Sequence, residues 1–144
     1  MKPALVRFYF DADVLGLGKI IASLRPDCTF PGDPGTRLNG RDRPPCQVTD
    51  TAVLDTIWIP VVAKAGLAII TRDSAIQRRS RELRAVRDAR AKMFALSPRD
   101  ATTKWAQLEL LMTRWRDIER KSFDSGPFIV PVSRTGKMRP IDLT

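Results

Sequence analysis

The chain has 144 residues, of which 43% are hydrophobic and 28% are charged, and this composition is typical of a globular protein and excludes a disordered one. With 25 Lys and Arg residues against 16 Asp and Glu residues, the net charge of +9 favours a polyanionic partner such as nucleic acid, the alternative being an inert basic surface. The absence of histidine excludes Ser-His-Asp and Cys-His triads and most zinc hydrolases, so an enzyme of this composition must use carboxylates, lysines, hydroxyls or a metal that they hold.

The length fits one domain, residues 1–144. No apolar run reaches the roughly 18 residues that cross a bilayer, and the start of the chain has no secretory cleavage site. We therefore expect a cytoplasmic protein with no membrane segment. Cys28 and Cys46 lack the C-x-x-C spacing of zinc or redox sites, so buried or idle thiols are predicted.

The first predicted elements are a strand and a helix. ALVRFYF, at 4–10, is β-branched and aromatic, and it ends at Asp11, as expected of a strand that is buried on both faces. Apolar residues at helical spacing follow over 14–24, until Pro26 ends the helix. Four prolines and three glycines at 31–46 then predict a long surface loop without regular structure.

A second unit repeats this order. Thr49 or Asp50 can cap a helix, in which Pro60 predicts a kink or a short break. LAIIT, at 67–71, is the next buried strand, and a helical crossover between two strands predicts that they lie parallel in one sheet.

The remaining elements complete an α/β fold. Residues 74–90 are predicted to be helical and 91–96 to form a third strand. A long helix over 97–122 has an apolar stripe in which two tryptophans are expected to be core residues. Two segments, 127–133 and 137–143, predict a terminal hairpin. The members of the helical stripe are Trp105, Leu108, Leu111, Met112, Trp115 and Ile118.

Carboxylates follow both predicted parallel strands. Asp11 comes directly after the first strand and Asp73 two residues after the second, so both are expected at one edge of the sheet. Asp55 lies early in the crossover helix near Trp58, where an inward carboxylate requires a cation or hydrogen bonds. Carboxylate oxygens are preferred ligands of Mg²⁺ and Mn²⁺, and such an ion activates water without histidine. The sequence therefore predicts a divalent metal site.

Each acid also has a structural alternative. Asp11 can be a turn residue, Asp55 a helix cap or surface group, and Asp73 an ion-pair partner of Arg72 or the cap of the next helix. Asp13 can reach the metal or begin the helix that follows.

The segment 72–92 is strongly basic, with eight basic residues against three acidic ones. Such a run can follow a phosphate backbone into the site, and Arg72, Arg78 and Arg79 are the candidate phosphate contacts. A solvated helix face that also holds an acidic partner is the alternative. Few aromatic residues accompany the run, so stacking on bases is not predicted from it.

Three segments in order, FYFDADVL, DTIWIPVVAKAG and AIITRD, resemble the PIN-like domains of VapC-type toxin ribonucleases, and most closely a compact PIN-like subtype. The resemblance covers about 6–96 and implies a three-layer fold with a mainly parallel sheet, to which 97–144 adds a helix and a hairpin. It also implies a Mg²⁺- or Mn²⁺-dependent endoribonuclease that cleaves RNA, commonly a toxin paired with an antitoxin protein and commonly a homodimer. By position, Asp11, Asp55 and Asp73 match the metal-binding acids of that family.

The resemblance is incomplete, because Ala75 stands where many PIN domains have a further acid and the acid of an earlier helix has no clear counterpart. A PIN-like module that binds nucleic acid or protein without cutting is therefore the main alternative. A small phosphatase is a third prediction, although its D-x-D-x-T/V motif is matched only by D-A-D-V-L at 11–15.

Overall fold

The computed structural model describes residues 2–72 and 80–143. A short 3-10 helix at Ala12–Val14 precedes the first α-helix. The other elements, in chain order, are β1 (Lys2–Pro3), β2 (Phe8–Phe10), α1 (Leu15–Leu24), β3 (Cys28–Thr29), β4 (Thr36–Leu38), β5 (Arg41–Arg43), α2 (Asp55–Lys64), β6 (Ala68–Thr71), α3 (Ser80–Ala89), β7 (Lys92–Leu96), α4 (Lys104–Lys121) and β8 (Phe128–Val132). Five strands form one sheet in the order β3-β2-β6-β7-β8, and every neighbouring pair in it is parallel. The predicted α/β fold with a mainly parallel sheet is confirmed.

Helices cover both faces of this sheet, and the strands show why. Successive side chains of a strand point to opposite faces. In β2, Phe8 and Phe10 pack with residues of α1 and α4, whereas Tyr9 packs with residues of α2 and α3. Strand β2 is therefore apolar at every position, and the fold has three layers, as expected.

The strand order reverses between β2 and β6. The chain runs from β2 through α1 to β3 on one side, and it returns through α2 to β6 on the other side of β2. Phe10 pairs with Ile70, and the Asp11 N–H donates to the Ile70 carbonyl at 2.9 Å. Ligands of open parallel sheets bind where the order reverses, beyond the carboxyl ends of the strands. Asp11 and Thr71 lie at that point.

The segment 31–46 is not the structureless loop that its proline and glycine content predicted. β4 and β5 form an antiparallel hairpin there, and β1 joins it as a third strand. Asn39 and Gly40 both have positive φ, 53° and 73°, the conformation that a two-residue hairpin turn needs. The preference of the Asn-Gly pair for a hairpin turn therefore determines the structure of this segment, despite the neighbouring prolines.

A buried ion pair holds this hairpin to the rest of the molecule. Arg43 Nε donates to Asp33 Oδ2 at 2.7 Å, and both side chains are almost completely buried. The Asp33 carboxylate also accepts from the Thr29 hydroxyl and from the Gly35 N–H. Arg43 Nη1 donates to the Ala22 carbonyl at 2.9 Å. The pair therefore links the hairpin to both α1 and β3.

The crossover helix begins later than predicted and does not break. Asp50 is not its cap, because the Asp50 carboxylate accepts from the Ala52 N–H in a local turn, and α2 begins at Asp55. α2 is continuous through Pro60. Proline at that position removes one backbone donor, and the packing of Trp58 and its neighbours against the sheet outweighs this cost.

The long C-terminal helix begins at Lys104 rather than at Ser97. The Ser97 N–H donates to the Val132 carbonyl at 2.8 Å, which continues the pairing of β7 with β8. The Thr103 hydroxyl accepts from the Ala106 N–H at 3.0 Å and caps α4. Trp105 and Met112, which were predicted to face the core, are exposed.

The predicted terminal hairpin is wrong. β8 pairs in parallel with β7, and residues 133–143, all of them described, form no strand. The Ile141 N–H does donate to the Ile129 carbonyl. Pro140, however, has no N–H and limits any ladder next to that bond.

Two smaller predictions can also be compared with the structure. Cys28 and Cys46 are free and buried, as expected, and burial raises the pKa of both thiols. Within the two described ranges, each helix is too short or too polar to cross a membrane.

Candidate active site

Two carboxylates meet around one threonine at the point where the strand order reverses. Thr71 Oγ1 lies 3.3 Å from Asp11 Oδ2 and 2.9 Å from Asp13 Oδ2. The Arg72 N–H also donates to Asp13 Oδ2, at 3.0 Å. The end of β6 therefore holds Asp13 beside Asp11.

The hydroxyl of Thr71 has only one proton, and the two carboxylates compete for it. The shorter distance favours donation to Asp13. Asp11 Oδ1 accepts from the Ala12 N–H at 2.6 Å, so Asp11 also caps the 3-10 helix as a turn residue does. That single local donor does not balance the charge of a buried carboxylate next to another one.

Asp11 is only 7% exposed, and its burial raises the pKa of the carboxyl group from its ordinary value of 3.8 to about 7. The charge of Asp13 is the second cause, and the Ala12 N–H opposes both. Burial also raises the pKa of Tyr9, with a further contribution from Asp11. The Asp11 carboxyl is therefore partly protonated at neutral pH, and a nearby cation would favour its ionised form.

Asp55 is near this pair but has a partner of its own. Trp58 Nε1 donates to Asp55 Oδ1 at 2.7 Å, and Asp55 is the first residue of α2, where the helix dipole favours an acid. The negative charge of Asp55 contributes to the raised pKa of Asp11. The sequence predicted that an inward carboxylate at Asp55 requires a cation or hydrogen bonds. The hydrogen bond from Trp58 meets this requirement without a metal.

The donor set of the pair fits a hard divalent cation. Mg²⁺ is commonly bound by one or two carboxylates and keeps several of its waters. Asp11 and Asp13 supply two such carboxylates, and a cation would offset the repulsion between them. In the described part of the chain no three acids are close enough to hold a metal together, and the predicted ligand Asp73 lies outside that part.

The comparison with protein families concerns the part of the chain that contains this site. Residues 7–98, more than half of the chain, match the family model of the PIN-like domain. The chain belongs to the PIN-like domain family. Nuclease activity is frequent in this family. Neither the curated proteins nor the solved structures include a significant match to the chain.

The predicted phosphate contacts of this PIN-like domain lie partly outside the described residues. Arg78 and Arg79 are outside them, as is Ala75. Arg72 Nη1 donates to the Ala101 carbonyl at 3.0 Å, so Arg72 links the end of β6 to the segment that precedes α4. Further along the basic run, α3 has three exposed arginines, Arg81, Arg84 and Arg87.

The role of Thr71 at the site and the true start of α4 were not predicted from the sequence of this PIN-like domain. Thr71 was assigned only to the buried strand, although a threonine that ends such a strand can bond to groups at the sheet edge. Lys104 and Trp105 were assigned to the interior of a helix. Recognition of Thr103 as the cap would have placed both residues in the first turn of α4.

Proposed function

We propose that this PIN-like domain is a Mg²⁺- or Mn²⁺-dependent endoribonuclease of the VapC type, which hydrolyses phosphodiester bonds of RNA. The observation that carries the proposal is the carboxylate pair of Asp11 and Asp13 at the reversal of strand order. The buried carboxylate of Asp11, held beside the exposed carboxylate of Asp13, is costly for folding, and metal-dependent hydrolysis would give this cost a function.

In this mechanism, Asp11 and Asp13 would hold the ion, and Asp55 and Asp73 are the further ligands that the resemblance to VapC-type ribonucleases implies. A divalent ion bound there supplies a nucleophilic water at neutral pH and neutralises charge on the phosphoryl group. Thr71 and the Arg72 N–H orient the Asp13 carboxylate, and the Ala12 N–H orients that of Asp11. The chain contains no imidazole that could act as the base.

The net charge of +9 supports RNA as the substrate. Arg72, Arg78 and Arg79 would contact phosphates on the way to the site. The toxin role, an antitoxin protein as partner and a homodimer belong to the same proposal. They rest on the resemblance to VapC-type ribonucleases.

A fluorescent single-stranded RNA tests the proposal directly. We expect cleavage with Mn²⁺ and none with chelator, and we expect Asp11→Ala and Asp73→Ala to lose at least about 100-fold in rate, since several kcal/mol of transition-state stabilisation would disappear. Asp50→Ala is the control, because Asp50 closes an exposed turn away from the pair. Full activity in both test variants would contradict the assignment.

A binding module without catalysis is the second candidate. The observation that favours it is that the described residues bring two acids together at the edge, rather than three. This module predicts salt-dependent RNA binding that chelator does not change, with no cleavage in Mn²⁺. The same fluorescent RNA therefore separates the two functions.

A further inference from the structure

The first turn of α4 lies at the same edge of the sheet as the carboxylate pair. Arg72 reaches the Ala101 carbonyl, three residues before Lys104. On the other side, the Lys104 side chain lies across Gly16, and a Cβ built on that glycine would be 2.6 Å from Lys104 Cε. Gly16 follows Asp13 by three residues. Lys104 is thus placed between the start of α1 and the end of β6.

Lys104 is in an unfavourable position for the helix that carries it. It is the first residue of α4, where the helix dipole disfavours a cation, and the first turn contains no acid. Lys104 is exposed, and it forms no salt bridge with the residues that the structure describes. Among the described residues, no acid therefore competes with an external anion for the Lys104 ammonium group at this edge.

Trp105 is next in the chain and is 71% exposed. The other two tryptophans have aromatic partners. The ring centroids of Trp58 and Tyr9 are 5.1 Å apart, and those of Trp115 and Phe8 are 4.6 Å apart. A single exposed aromatic residue is ordinary on a protein surface. An exposed indole adjacent to an exposed lysine is a combination that binds single-stranded nucleic acid, because a base stacks on the ring and the cation contacts the backbone phosphate.

We infer that Lys104 and Trp105 bind an unpaired nucleotide of the RNA next to the cleaved bond. Lys104 contacts the phosphate, and Trp105 stacks on the base. The inference rests on the proposed function, which identifies the ligand as RNA. It adds that the RNA must be single-stranded at this site. In a duplex the bases are stacked on each other and cannot stack on an indole.

The test is the affinity for a fluorescein-labelled, mixed-sequence single-stranded RNA, measured by anisotropy in chelator so that no cleavage occurs. Trp105→Leu should weaken binding by about 5- to 150-fold, because stacking on an aromatic side chain contributes about 1–3 kcal/mol per base. Trp105→Phe retains a ring and should lose much less. Lys104→Ala should reduce the slope of log Kd against log salt by about 0.7, as expected for one lost phosphate contact.

Matched controls lie at the opposite edge of the sheet. Phe123, just beyond the end of α4, is 72% exposed, and Lys64 is exposed at the end of α2. Phe123→Leu and Lys64→Ala should bind like the wild type. The inference is overturned if Trp105→Leu binds like the wild type, if Phe123→Leu weakens binding equally, or if Trp105→Leu weakens binding of the corresponding duplex to the same extent.

Cleavage in Mn²⁺ distinguishes a failure of this inference from a failure of the proposed function. A wild type that binds through Trp105 but never cleaves supports the nucleotide site and contradicts the nuclease. A Trp105→Leu variant that cleaves with an unchanged KM contradicts the nucleotide site and supports the nuclease. A wild type that does not bind the single strand at all also contradicts the nucleotide site.

Discussion

Asp11→Asn is expected to stabilise the metal-free protein near pH 8 while it abolishes RNA cleavage. The asparagine oxygen still accepts from the Ala12 N–H, and its amide can donate to Thr71 Oγ1, whose own proton goes to Asp13. The substitution therefore keeps the local hydrogen bonds and removes a buried charge next to Asp13. It also removes a proposed ligand of the metal.

The gain in stability should depend on pH. The folded protein raises the pKa of Asp11 from 3.8 to about 7, so folding favours the protonated acid. Below about pH 4 the acid is protonated in both the folded and the unfolded states, and its charge costs no stability. Between about pH 4 and pH 7 the unfolded state releases this proton while the folded state retains it, so the free energy of unfolding falls by on the order of 4 kcal/mol.

Thermal unfolding of wild type and Asp11→Asn at about pH 4 and pH 8, in chelator, measures this effect. The variant should melt at least about 5 °C above the wild type at the higher pH and close to it at the lower pH. Asp50→Asn, at an exposed turn, should change the melting temperature little at either pH. A variant that melts below the wild type at pH 8 would show that the Asp11 charge is already compensated in the metal-free protein.

Arg43→Met is expected to lower the free energy of unfolding by about 3–5 kcal/mol. The substitution leaves the Asp33 carboxylate, whose side chain is only 1% exposed, without its cation. The Thr29 hydroxyl and the Gly35 N–H remain as its donors, and they do not neutralise its charge. Urea unfolding followed by tryptophan fluorescence measures the change.

Two further variants separate the loss of the charge partner from the loss of side-chain packing. Arg41→Met changes an exposed arginine of the same hairpin strand and should cost less than about 0.5 kcal/mol. The double variant Asp33→Asn, Arg43→Met should be more stable than Arg43→Met alone, because no charge then remains buried. Equal stability of the single and the double variant would mean that the buried charge is not the cause.

The parallel sheet could be predicted from sequence because its signal is local. FYF and AIIT are short apolar runs that end at polar residues, and each is followed or preceded by a pattern typical of a helix. Asp11 lies next to the end of β6 because β2 and β6 are parallel neighbours, and the chain returns to β6 through one helical crossover. Those two steps use only strand geometry and connection rules.

Other features depend on contacts that a pattern of apolar residues does not reveal. The hairpin of β4 and β5 is held by the Arg43–Asp33 pair, whose members are ten positions apart in a proline-rich segment. Asp55 is engaged by the Trp58 indole, so an inward carboxylate there does not by itself indicate a metal. The start of α4 at Lys104 was not predicted, because helix starts are set by caps such as Thr103 rather than by periodicity.

Crystals soaked in MnCl₂ test the central claim most directly, through an anomalous difference map at the manganese edge. The predicted result is a peak at the reversal of strand order, in contact with a carboxylate oxygen of Asp11, that disappears in crystals of Asp11→Asn. A well-ordered edge without a peak at high MnCl₂, or an ion bound there without contact to Asp11, would contradict the claim.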